Sequence, residues 1–146
     1  MPEQPKDSCE ARKFVRHAGD DSKFSMADAF SCASCGVRQA FLSQRNFKIH
    51  SVFAALAVLL GFLLQISQPS WLAVVLCIIA VFSLEMLNTA VESIVDLASP
   101  EWNRLAMVAK DCAAGSVFVA AIGSLVVAAI VYVPPLVSIL ALMAGA

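Results

Sequence analysis

The sequence predicts an all-α membrane protein, with three transmembrane helices behind an N-terminal amphipathic surface helix. Composition is the first observation behind this. Of 146 residues, 60% are hydrophobic and only 14% are charged, whereas a soluble domain carries about 25% charged residues. The second is how the charge is sorted. Eight of the ten Lys and Arg lie in the first 50 positions, and residues 51–84 and 112–146 carry no charge at all. Charge-free apolar runs of that length are long enough to cross a bilayer. The third is the chain's punctuation, with polar and proline-containing breaks between the apolar runs.

Residues 1–23 are polar and mixed in charge, without the apolar core of a signal peptide, and read as a cytosolic tail. Residues 24–43 read as the surface helix. Met26, Phe30, Val37 and Phe41 recur at helical spacing as one apolar stripe. Such a helix beside a hydrophobic span lies in the membrane interface or packs on the protein's own helices.

The first span is 47–67, closed by Gln65–Ser70 with Pro69. The second starts at Trp71, an interfacial aromatic, and runs to residue 98. At about 42 Å it is longer than the roughly 30 Å hydrocarbon core, so its end leaves the membrane or lines a polar cavity. Ser99-Pro100-Glu101 reads as the N-cap and first turn of a third helix over 100–133. Pro134-Pro135 then closes that helix. The apolar tail 134–146 is expected to rest in the interface or against the helices rather than cross.

Arg38, Arg45, Lys48, Arg104 and Lys110 fall on one side of this arrangement. The positive-inside rule therefore puts the N-terminus and the loop near residues 96–101 in the cytosol, and the C-terminus outside. The five cysteines are odd in number and suggest no disulfide framework. Cys32-Ala-Ser-Cys35 lacks the second pair that a zinc site would need, and reads as small helix residues.

The chemistry concentrates in residues 85–96, EMLNTAVESIVD. On a helix, Glu85, Asn88, Glu92 and Asp96 fall within an arc of about 80°. Glu85 lies about 21 Å along the axis from Trp71, close to the inner edge of the hydrocarbon. An acid deeper in the bilayer costs on the order of 3 kcal/mol on insertion scales, so such residues are usually partnered or functional. The plain alternative is inter-helical hydrogen-bond glue. An ordered acidic stripe with Lys110-Asp111 across a short loop favours function. Glu85 could accept a proton from a lipid hydroxyl. Glu92 could hold a divalent cation, since Mg²⁺ takes one or two carboxylates together with substrate phosphates. Lys110 could pair with phosphate oxygens. Together these are a kit for phosphoryl transfer. Neither a Walker motif nor a kinase glycine-rich loop is present. A proton-coupled transporter would use the same kind of acid, but here the acids cluster at one interface instead of crossing the membrane.

The segment SLEMLNTAVESIVDLASPEWNRLAMVAKDCAAGSVFVAA, with GVRQAF and NFKIH upstream, resembles the prokaryotic diacylglycerol kinase and undecaprenol kinase family over about residues 24–133. The resemblance implies a homotrimer in the bacterial plasma (inner) membrane, with active sites on the cytosolic face between subunits. It implies Glu85 as catalytic base, Asn88 as a site-organising residue, and Glu92 as ligand of the ATP-bound Mg²⁺. Glu101, Trp102, Asn103, Lys110 and Asp111 match ATP-contacting positions, and Arg38, Phe41 and Phe47 match the region that meets the lipid. The family's second metal-binding glutamate is replaced by Gln44, and the histidine common at position 103 is Asn103. The implied partners are ATP, a membrane lipid alcohol and further copies of the chain, with no nucleic acid. The expected reaction is ATP-dependent phosphorylation of diacylglycerol to phosphatidic acid. The alternatives are undecaprenol as substrate, towards which NFKIH and NTAVE lean, or a weakened, non-catalytic scaffold because of Gln44.

Overall fold

A computed structural model describes residues 26–145. Among these, all regular structure is helical: α1 Met26–Ser43, α2 Arg45–Leu63, α3 Gln68–Ala98 and α4 Arg104–Met143. The expected tail 1–23 and the first two residues of the expected surface helix lie outside the described residues. The chain divides after Ser43 into two units.

Helix α1 is the described part of the first unit. Its stripe is exposed, from 75% at Met26 to 46% at Phe41. Its polar side chains are turned inward on the backbone: the Ser34 hydroxyl donates to the Phe30 carbonyl and Ser43 to Gln39, each at 2.8 Å. Back-bonding of this kind hides hydroxyls from an apolar surrounding. Cys32, Cys77 and Cys112 are free thiols, while Cys35 is disulfide-bonded. Cys32 and Cys35 therefore do not bridge each other, and the bridge at Cys35 is a departure from the reading of both as small helix residues.

The second unit holds α2, α3 and α4, all three long and apolar enough to cross a membrane. Helix α3 packs mainly on α4 and less on α2. Three contacts set the register. Phe47 and Phe82 pack as a tilted ring pair with centroids 4.7 Å apart, joining the N-terminal end of α2 to the middle of α3. At the other end Gly61 lets Trp71 approach, and a Cβ there would come within 2.9 Å of the indole. The Tyr132 hydroxyl donates to the Ala57 carbonyl at 2.8 Å, tying α4 to α2.

Helix α2 ends at Leu63, four residues before the expected limit, because Gln65 turns into the left-handed region at φ 48°. The Ile66 N–H donates to the Gly61 carbonyl at 3.2 Å and the Gln65 N–H to the Phe62 carbonyl at 3.3 Å. This pair of bonds is the Schellman termination, with glutamine where glycine is usual. Pro69 ends nothing. It sits in the first turn of α3, where its missing N–H has no partner to lose.

Two expectations at the ends of the third span are corrected. The helix starts at Arg104, not at residue 100. Ser99 closes α3, and the N-cap is Asn103, whose Oδ1 accepts from Leu105 N at 2.8 Å and Ala106 N at 3.3 Å. Nor does Pro134-Pro135 stop α4, which continues as a helix to Met143. Two adjacent prolines remove only the N–H groups that would meet the Ile130 and Val131 carbonyls, and their fixed φ is already helical. Spanning helices tolerate such a break; the Ser138 hydroxyl back-bonds to the Pro134 carbonyl at 3.0 Å, which satisfies the hydroxyl and not the orphaned carbonyls. The apolar tail is thus part of a 40-residue helix, about 60 Å long.

Gly61→Ala should lower stability in detergent micelles by about 1–3 kcal/mol, because the rigid indole of Trp71 must move. Gln65→Gly should raise it by up to about 1 kcal/mol, by relieving the positive φ. Chemical unfolding followed by circular dichroism measures both.

Candidate functional site

Helix α3 buries Val74, Val81, Glu85 and Asn88. Their steps of seven, four and three residues are one helical face. The N-terminal half of that face is apolar and the C-terminal half is polar, so the acidic stripe is the continuation of the packing stripe. Glu85 is 2% exposed and Asn88 is 8% exposed, and they are the buried polar residues among the described ones. Glu92 is half-buried and Asp96 is exposed. The stripe therefore grades from buried to open towards the end of α3.

The Asn88 side-chain N–H₂ donates to Glu92 Oε1 at 3.1 Å. That bond fixes the amide orientation and leaves Asn88 Oδ1 buried with no hydrogen-bond partner among the described residues. An orphaned amide oxygen beside a carboxylate is an acceptor set that lacks a donor or a cation. The Thr89 hydroxyl is turned away, donating to the Glu85 backbone carbonyl at 3.0 Å.

Helix α2 brings His50 within electrostatic range of Glu85. His50 also lines an apolar cavity of about 400 Å³ between α2, α3 and α4, which reaches as far as Tyr132. His50 was not among the expected site residues. A signal existed, since Phe47, His50, Ala54, Ala57 and Gly61 recur at steps of three and four, the packed face of α2. Gln44 is the N-cap residue of α2, half-buried, with its side chain unused in capping. Antiparallel helices that meet at Phe47 and Phe82 carry Gln44 and Glu85 one turn beyond that contact in the same direction.

The remaining expected residues are placed as follows. Lys110, near the start of α4, forms an ion pair with Asp96 at the end of the stripe. Asp111 is exposed beside it. Glu101 and Trp102 stand exposed in the α3–α4 loop, while the Asn103 oxygen is engaged in its cap. Phe47 is 5% exposed and belongs to the core, so it faces Phe82 rather than the surface expected of a lipid contact. Arg38 and Phe41 lie one turn apart on α1, flanking a shallow depression with Ala33, Ser34 and Val37.

No three of His, Cys, Asp and Glu converge as a metal cage among the described residues. The oxygen donors that lie together are the Glu92 carboxylate and the Asn88 amide. This set fits Mg²⁺, which accepts one or two protein oxygens and takes the rest from substrate phosphates and water. It does not fit a zinc site, which needs nitrogen or sulfur ligands.

The profile of the family "Prokaryotic diacylglycerol kinase" matches residues 31–132. An undecaprenol kinase of Bacillus subtilis is 38% identical over 108 residues, covering 74% of this chain and 88% of its own length. A diacylglycerol kinase of Synechocystis is 40% identical over 113 residues, 77% of this chain and 65% of that protein. One from Haemophilus influenzae is 32% identical over 85 residues, 58% of this chain and 72% of its own. The match covers the acidic stripe, the loop after it and the three long apolar helices up to Tyr132, and so the chain belongs to the prokaryotic diacylglycerol kinase family of membrane lipid kinases.

Proposed function

We propose that the protein transfers the γ-phosphoryl group of ATP to the hydroxyl of a membrane lipid alcohol, with Glu85 as general base. The observation that carries this reading is the burial of Glu85 one turn from the Asn88–Glu92 hydrogen bond. A carboxylate kept from water beside a cation-binding carboxylate has a place for each half of the reaction. In the transfer, the lipid O–H proton passes to the Glu85 carboxylate while the oxygen forms its bond to the γ-phosphorus. The bond from that phosphorus to the bridging oxygen breaks, and ADP leaves. Catalysis of this type is mostly positioning and charge neutralisation.

Glu92, with Asn88 Oδ1 and Gln44, is the set that would hold Mg²⁺. Bound there with ATP, the ion would supply neutralisation of phosphate charge. Lys110 meets phosphate oxygens, and Glu101, Trp102, Asn103 and Asp111 line the nucleotide side. Arg38 and Phe41 on the exposed stripe of α1 meet the lipid, with α1 lying in the interface. Most side chains of the three spans are exposed in the single chain, between 6% and 17% of each span being buried. Such helices bury further surface only against lipid or other copies, which fits a homotrimer in the bacterial inner membrane with a cytosolic N-terminus.

Diacylglycerol is the substrate in this reading. Undecaprenol is the second reading, favoured by the undecaprenol kinase that this chain matches over 88% of its length. Purified protein assayed with ATP, Mg²⁺ and each lipid side by side separates the two. Glu85→Gln should lower kcat at least about a hundredfold on whichever lipid is used, with the helix content unchanged. Near-normal turnover by this variant would remove Glu85 as the base. Gln44→Glu adds a second carboxylate to the cation set, and should lower the Mg²⁺ concentration for half-maximal activity several-fold. If neither form binds ATP, the protein is a scaffold and not a kinase.

A further inference from the structure

The ion pair between Asp96 and Lys110 lies outside every role assigned so far. It joins the last turn of α3 to the second turn of α4, across 14 residues of chain. Its side chains are 67% and 37% exposed, respectively. A pair this open adds little to stability, because water and salt screen it. What it does is hold one long, flexible side chain in one place. Asp96 follows Glu92 by one helical turn, about 6 Å along the axis, on the same face. The Lys110 ammonium is therefore held one turn from the carboxylate that would take the nucleotide's cation. A polyphosphate chain, with phosphorus atoms a few ångströms apart, could reach both.

We propose that Asp96 is a positioning residue, which orders Lys110 before the nucleotide arrives so that the phosphates meet a preformed cation. The inference rests on the proposed reading of this site as a kinase site. Two opposing effects set its sign. The Asp96 charge repels phosphate, but an exposed carboxylate in water at this range is screened to an effect of a few-fold. Ordering a free lysine side chain forfeits rotamer freedom equivalent to as much as about thirtyfold in a binding constant. The gain from ordering outweighs the repulsion, so the carboxylate helps nucleotide binding despite its charge.

The test is a double-mutant cycle read by nucleotide binding and by steady-state kinetics. Full-length protein in detergent micelles is titrated with a fluorescent ATP analogue plus Mg²⁺ and no lipid, so the readout does not require turnover. Asp96→Asn should raise the Kd about three- to tenfold and raise the KM for ATP in parallel, with kcat changed less than twofold. In a Lys110→Met background the same substitution should have no further effect. An unchanged or lower Kd for Asp96→Asn would overturn the inference. So would additive losses in the double variant, which would mean that Asp96 acts on the nucleotide by itself. Failure of the kinase reading is distinguishable, because the parent protein would then bind no nucleotide and show no turnover on either lipid.

Discussion

A carboxylic acid taken out of water inside an apolar helix bundle is the constraint around which the second unit is organised. Glu85 is 2% exposed on the face where α3 meets its neighbours. Burying such a group is costly, and the cost falls only when neighbours supply polar company or when the group is put to use. Here the company is sparse. His50 lies within electrostatic range of Glu85, and Asn88 lies one turn away with its oxygen unmet among the described residues. Among those residues no ion pair neutralises the Glu85 carboxylate. The contrast with Asp96 is instructive: further along the same face and exposed, it does have a permanent partner in Lys110.

Holding a buried acid in place demands helices that do not slide. The register comes from contacts that are each specific in shape. The tilted Phe47–Phe82 ring pair closes one end of the α2–α3 pair, and the indole of Trp71 against Gly61 closes the other. The Tyr132 hydroxyl donates across to the Ala57 carbonyl and pins α4. In a bilayer these contacts matter more than the hydrophobic effect does, since lipid is as apolar as the side chains themselves and offers no drive for helices to associate. Close approach and inter-helical hydrogen bonding are what remain. The apolar cavity below His50 shows that the packing is not complete within one chain.

The spans and the stripe were legible from residue order, and the helix ends were not. Charge-free runs of this length announce membrane helices because a continuous apolar helix satisfies its own backbone in lipid, whereas a barrel strand is shorter and alternates in polarity. The 3.6-residue period places Glu85, Asn88 and Glu92 on one face before any packing is known. Local rules failed where two signals competed. Ser99-Pro100-Glu101 carries the usual marks of a helix start, yet Asn103 takes the cap, since its amide oxygen reaches two N–H groups of the first turn. Pro134-Pro135 carries the marks of a stop, yet α4 runs through it, because the fixed φ of proline is already helical and only two N–H groups are lost. Phe47 read as a lipid contact by resemblance, and its ring lies in the core.

By itself, then, the amino-acid order determined that the chain is helical, that three of its helices are long and apolar enough to span, and that four polar groups share one face of the second. Those properties follow from composition and periodicity, which are local. Tertiary structure alone decided which of those groups are buried, that the Asn88 oxygen is left unmet, that His50 comes within electrostatic range of Glu85, and that Lys110 is paired with Asp96. Each of these depends on how neighbouring helices are offset along their axes. That offset is set by a few ring, glycine and hydroxyl contacts between residues far apart in the chain, and no local pattern encodes it.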